Sequence, residues 1–210
     1  MTKNSIRTLI FDLGGVLIRL DVQQTVEAFK TLGIIMPEEE PKRTDFFALM
    51  HDFEKGLIGA GEFRTGLRRY SRNHFSDEAL DKAWHRMLAE YSRDTLDFIN
   101  TVKNNYTVCL LSNTNEIHVP YFTMKMKDQT GYDIYQLFHK VYYSHVLHMR
   151  KPEPEVFRHV MDDNRTTERE TLLIDDNEEN IKTAREMGMH AHLYTFGERM
   201  ADVVRNYAGL

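Results

Sequence analysis

Five short apolar runs restrict this chain more than any other feature: residues 8–13, 107–111, 141–143, 171–174 and 191–194. Each is hydrophobic on both faces. A strand with one face in water alternates apolar and polar side chains, whereas a strand of a parallel sheet, covered by helices on both sides, does not. Helical spacing fills most of the gaps. Residues 93–103 precede the second run, 154–161 follow the third and 179–187 follow the fourth, with Gly188 standing where a helix C-cap belongs. Strands alternating with helices predict an α/β fold built on a doubly wound, Rossmann-like parallel sheet.

Residues 21–90 break the alternation. They show no convincing strand, and their apolar residues recur at helical spacing: Val26, Phe29 and Leu32, then Phe46, Leu49, Met50 and Phe53, then Phe63, Leu67 and Tyr70. This predicts a helical cap (residues 19–91) inserted straight after the first strand of a core formed by 1–18 and 92–210. Pro37 and Pro41 flank an acidic run that reads as a solvated helix start. A length of 210 residues suits one compact core with a modest insertion.

Composition removes several function classes. Net charge is −5, so no broad basic field exists to follow a nucleic-acid backbone. An anionic ligand has to be drawn in by a local positive site. The single cysteine, Cys109, excludes an internal disulfide framework; it lies in an apolar run and reads as a small buried hydrophobe in a reducing, cytoplasmic setting. The first apolar run is too short to span a membrane and no small-residue cleavage site follows it. The expectation is a protein without membrane or nucleic-acid partners, as a monomer or small homo-oligomer.

Four segments carry the chemistry, and each falls at or just after the C-terminal end of a predicted strand, the edge where open α/β sheets bind ligands. Phe11-Asp12-Leu13-Gly14-Gly15 puts a carboxylate on a tight turn. Leu111-Ser112-Asn113-Thr114 offers a hydroxyl and fresh backbone N–H groups, which hold phosphate oxygens well. Arg150-Lys151-Pro152-Glu153-Pro154 presents an ammonium on a loop stiffened by proline. Ile174-Asp175-Asp176-Asn177 closes an apolar strand with adjacent acids, a costly arrangement unless a cation is bound, and oxygen ligands suit Mg²⁺. Singly, these segments also read as helix caps, turns and loops. Their order and spacing give them weight.

In that order the four segments resemble the motifs of the haloacid dehalogenase-like (HAD) hydrolase superfamily, across essentially the whole chain. In the insertion, Phe53-Glu54-Lys55-Gly56 followed by Glu62-Phe63 is similar to the cap of sugar-phosphatase-like members and of the soluble epoxide hydrolase phosphatase domain. The resemblance implies a Mg²⁺-dependent hydrolase acting on small phosphate monoesters, sugar phosphates among them. It implies that Asp12 is a nucleophile forming an aspartyl-phosphate. Asp12, the Gly14 carbonyl and Asp176 would ligate Mg²⁺, with Asp175 holding the metal through water or orienting its shell. Ser112, Asn113 and Lys151 would grip the phosphoryl group, and Asn180 would support the acidic loop.

One position departs from the pattern. Most phosphatases of this superfamily carry a general acid–base Asp two residues after the nucleophile, and here Gly14 stands there. Such help is worth about 10²–10⁴ in rate, small beside the enhancement of up to about 10²¹ known for phosphate monoester hydrolysis. A slow enzyme survives that loss, with a metal-bound water, the leaving group's own acidity or another side chain such as Asp21 in its place. A non-catalytic binding protein and a metal-independent 2-haloacid dehalogenase remain as alternatives. Arg19, Arg64, Arg68 and Arg69 read as cap or surface charges that could meet a leaving group, and Trp84 as core where cap meets sheet. His190 and His192 lack a third ligand for zinc, and no nucleotide-binding fingerprint is present.

Overall fold

The computed structural model describes residues 6–208. In chain order the elements are β1 (Thr8–Phe11), β2 (Ile18–Leu20), α1 (Val22–Thr31), α2 (Lys42–Glu54), α3 (Ala60–Arg68), α4 (Asp77–Trp84), β3 (Leu88–Tyr91) and α5 (Arg93–Val102). There follow β4 (Thr107–Ser112), α6 (His118–Thr130), α7 (Ile134–Leu137), β5 (Lys140–Tyr143), α8 (Ser144–Leu147), α9 (Pro154–Asn164), β6 (Thr171–Asp175), α10 (Glu178–Glu186), β7 (His190–Leu193) and α11 (Met200–Ala208).

Five strands form one parallel sheet in the order β5-β4-β1-β6-β7. The chain builds outward from β1 to one edge and then crosses back to build the other, so the order reverses beside β1. Loops leaving β1 and β6 diverge there and open a crevice at the strand ends. The continuous apolar runs follow from coverage on both faces. Leu9 and Phe11 of β1 pack with Leu96, Ile99, Phe122 and Val204 of α5, α6 and α11. Ile10, between them, faces Val156 and Phe157 of α9 and Ile181 of α10. Cys109 is buried on that second face, where burial raises its thiol to about 12.

Helices α1–α4 lie between β2 and β3 and close their own core around Phe29, Phe46, Phe53, Phe63, Leu67 and Leu80. Phe53 stacks on Phe63 with centroids 4.1 Å apart. The sequence reading found no strand between residues 21 and 90, and the structure corrects this. β3 begins at Leu88 and pairs antiparallel with β2, Ile18 opposite Tyr91 and Leu20 opposite Leu88. A four-residue strand is too short for alternation to register as a pattern. This ribbon carries the chain into the helical layer and out of it.

Two histidines tie the helical layer to the sheet layer. His118 Nε2, at the start of α6, donates to the Trp84 carbonyl at 3.1 Å, and His85 Nε2 donates to the Ile117 carbonyl at 3.0 Å. Trp84 lies on the His118 ring at 5.0 Å and on Phe29 at 5.7 Å, and His85 stacks on Tyr121 at 4.0 Å. Among the described residues, no helix is long and apolar enough to cross a membrane.

Candidate active site

β1 ends at Phe11, and the Asp12 N–H donates to the Ile174 carbonyl of β6 at 2.9 Å before the chain turns away. The N–H groups of Leu17 and Ile18 both return to the Leu13 carbonyl, curling residues 13–18 into a compact loop. Gly15 sits there at φ +69°, and a Cβ on it would lie 1.9 Å from Asp176 Oδ2. Only glycine satisfies both the left-handed backbone and that approach. The turn after the first acid is thus shaped to admit the second loop's carboxylate.

Lys151 joins the strand ends. Its Nζ lies 2.8 Å from Asp12 Oδ1 and 2.6 Å from Asp175 Oδ2, with Lys151 1% exposed and Asp175 fully buried. The other Asp175 oxygen accepts the Asn177 N–H and the Asn180 side-chain amide, both at 2.9 Å. Asn177 also caps α10, its Oδ1 accepting from Glu179 and Asn180, so one short loop starts the helix and fixes the carboxylate. Asn113 holds the lysine backbone: its side-chain amide donates to the Lys151 carbonyl at 2.8 Å and its Oδ1 accepts the Lys151 N–H at 2.9 Å. Sequence reasoning gave Asn113 a phosphate-facing backbone and missed this clamp. Ser112 is buried at the end of β4.

Oxygens of Asp12, Asp175 and Asp176 lie within 4.8 Å of one another. One ammonium faces three carboxylates. Burial, opposed by Lys151 and reinforced by Asp175 and Asp176, raises Asp12 from 3.8 to about 7. Burial and Asp175 raise Asp176 as well. Burial works against the Lys151 charge, yet Asp12 and Asp175 outweigh it and hold the ammonium protonated. A divalent cation fits this surplus of negative oxygen: the donors are hard, and Asp176 is exposed on the open side.

Other sequence candidates lie apart from this group. The charges acting on Asp12 are Lys151, Asp175 and Asp176. Asp21 occupies the N-cap position of α1 and lines a cavity of about 770 Å³ with Arg19, His85 and Arg86. Arg19 pairs with Glu90 across the ribbon. Arg64 forks onto Asp81 at 2.9 and 2.7 Å and Arg68 binds Asp77, so these two cations join α3 to α4. Arg69 lines a cavity in the helical layer with Lys42 and Arg72. His192 contacts Glu198 at 3.2 Å.

The segment Phe53-Glu54-Lys55-Gly56 docks beside the lysine loop. Glu54 lies 2.9 Å from Arg150, Lys55 lies 2.9 Å from Glu153, and the Glu54 carbonyl accepts the Ser144 hydroxyl. Gly56 is required here: at φ +64° its Cβ would sit 2.1 Å from the His145 carbonyl oxygen. The helical layer is thereby pinned next to Lys151.

With this geometry in hand, comparison with known proteins decides the family. The profile of haloacid dehalogenase-like hydrolases matches residues 6–188. The chain belongs to that family. It is 30% identical over 183 residues to a D-ribitol-5-phosphate phosphatase of Bacteroides thetaiotaomicron, covering 87% of this chain and 89% of that one. It is also 31% identical to the drimenol cyclase drtB of Aspergillus calidoustus, spanning 90% of this chain but 34% of that longer protein. Among solved structures, a HAD family enzyme from Bacteroides thetaiotaomicron superposes with a TM-score of 0.89 at 36% identity, covering 96% of this chain and 99% of the other. The wild-type form of that enzyme was crystallised with magnesium and inorganic phosphate (TM-score 0.86, 35% identity, 96% and 100% covered). This HAD hydrolase therefore has the α/β architecture its sequence implied.

Proposed function

We propose that this HAD hydrolase is a Mg²⁺-dependent phosphatase acting on small phosphate monoesters, with Asp12 as nucleophile. The observation that carries the reading is Lys151, buried between Asp12 and Asp175, with Asp176 completing a group of three carboxylates. Carbon–halogen cleavage needs no such set of oxygens, because no phosphate has to be neutralised. Relatives named as binding magnesium and phosphate, or as acting on D-ribitol 5-phosphate, support the same direction.

In this mechanism Asp12, Asp176 and the Gly14 carbonyl would hold Mg²⁺, with Asp175 behind them. When bound, the ion neutralises phosphoryl oxygens and brings the Asp12 carboxylate into its ionised form. Ser112, the Asn113 backbone N–H and Lys151 orient the phosphoryl group in line with Asp12. An Asp12 oxygen attacks phosphorus, the bond to the leaving oxygen breaks, and that oxygen departs with the bonding electrons and takes its proton from water, giving the alcohol. Water then attacks the same phosphorus, the bond to Asp12 breaks, and inorganic phosphate leaves. Residues 19–91 act as a cap domain on the core of 1–18 and 92–210, shielding the phosphoryl-enzyme from bulk water. A small polyol or sugar phosphate suits a cleft narrowed by the docked 53–56 segment.

The test is phosphate release from a panel of polyol, sugar and aryl phosphates. The reading expects turnover with Mg²⁺, loss in excess chelator and a fall of more than about 10³-fold in Asp12→Asn. Equal turnover in Asp12→Asn would overturn it.

A further inference from the structure

Gly14 raises a question that the fold answers in part: what occupies the space a side chain there would fill? Gly14 is absent from the positive-φ glycines, so its backbone tolerates any L-residue. A Cβ built on it meets Leu20 Cδ1 at 2.7 Å, Leu20 Cγ at 3.3 Å and Leu20 Cδ2 at 3.5 Å. All three nearest atoms belong to one isobutyl group. The compact 13–18 loop brings this about, because the bridge between Gly14 and Ile18 starts β2 alongside the turn. Leu20 is not ordinary core. It is 39% exposed, a large apolar side chain lying beside the turn that carries Asp12.

We propose that Leu20 is a specificity-determining residue: it fills with hydrocarbon the place of a proton donor, and so makes turnover depend on the leaving group's own acidity. The inference rests on the phosphatase reading above. Among the described residues, the three carboxylates that could take over the donor's part are placed otherwise. Asp175 is spent on Lys151, Asn177 and Asn180, Asp176 belongs to the cation group, and Asp21 lines a different cavity. Without a donor, the departing oxygen carries more negative charge in the transition state. Esters of acidic alcohols and phenols then react far faster than simple alkyl esters.

Leucine and aspartate share a shape. In Leu20→Asp the two carboxyl oxygens take the places of Cδ1 and Cδ2, and Leu20→Asn supplies the same outline without an ionisable proton. The experiment measures kcat/KM for glycerol phosphate and for 4-nitrophenyl phosphate in the full-length protein with Mg²⁺, and takes their ratio. Leu20→Asp is expected to raise the alkyl-to-aryl ratio at least about tenfold over both wild type and Leu20→Asn. A purely structural role would move both substrates together and leave the ratio alone. Equal ratios in Leu20→Asp and Leu20→Asn overturn the inference.

A second pair approaches from the other side and serves if the first fails to fold. Gly14→Asp alone is crowded by Leu20, while Gly14→Asp with Leu20→Ala has room for the carboxyl group. A rise in ratio confined to the double variant supports the inference; an equal rise in both, or in neither, overturns it. Should neither wild type nor any variant release phosphate from a monoester, the phosphatase reading itself falls and this inference falls with it.

Discussion

At the residue scale the site is a conflict between charge and burial. Asp12 is 13% exposed and its carboxyl is raised from 3.8 to about 7, burial being the largest cause. A group whose folded pKa exceeds its unfolded value binds its proton more tightly when folded. Its stabilising contribution is complete below pH 3.8 and disappears as pH rises through about 7. Metal-free protein at pH 8 therefore carries an ionised Asp12 at a cost in stability. Asp12→Asn should raise the melting temperature in chelator at pH 8 while abolishing turnover, and the gain should shrink toward pH 5. A variant less stable than wild type under those conditions would show that burial of this carboxylate costs nothing. The acids, the lysine and Gly14 could be singled out in the sequence because the four short segments that hold them stand in an order and spacing that resemble a known set of motifs, although each alone reads equally as a cap, turn or loop. The Asn113 clamp and the packing of Leu20 on Gly14 could not, since both depend on loops folding back in three dimensions.

Elements differ in how plainly the sequence announced them. The three central sheet strands, β1, β4 and β6, stood out most plainly because burial on two faces demands unbroken apolar runs, as in Thr8-Leu9-Ile10-Phe11. The β2–β3 ribbon stayed hidden for want of length. Helix α6 stayed hidden because its buried positions, His118, Phe122, Met126 and Thr130, form a narrow stripe with a polar residue at each end. That first residue has a measurable consequence. His118 is buried, and burial outweighs the bond it donates to the Trp84 carbonyl and drives its pKa from 6.5 down to about 3, which keeps the ring neutral. The unfolded chain binds this proton between those values, so stability supplied by neutral His118 is full above pH 6.5 and is lost as pH falls toward 3. His118→Gln, which keeps a donor without a titrating ring, should cost stability at pH 7.5, and the wild-type minus variant difference should shrink as pH falls toward 4.5. A difference that does not change between pH 7.5 and 4.5 would contradict this role for the seam.

On the scale of the whole molecule, sheet order and insertion cooperate. Reversal of strand order beside β1 brings together ends separated by more than a hundred residues in sequence, so Asp12, Lys151, Asp175 and Asp176 share one crevice. The helical layer emerges from the ribbon next to Gly14 and is pinned to the sheet layer at two places. These are the reciprocal histidine bonds at residues 85 and 118 and the ion pairs of Glu54 and Lys55 with the lysine loop. Stability and chemistry are thus joined in one seam. The central claim is that phosphate passes through a covalent bond to Asp12, and the most direct measurement is mass spectrometry of acid-quenched protein after mixing with a phosphate monoester and Mg²⁺. The account predicts a phosphoryl group on the peptide containing Asp12, present during turnover and lacking in Asp12→Asn. Turnover with no phosphoryl group on that peptide at any quench time, or with the same adduct in Asp12→Asn, would contradict it.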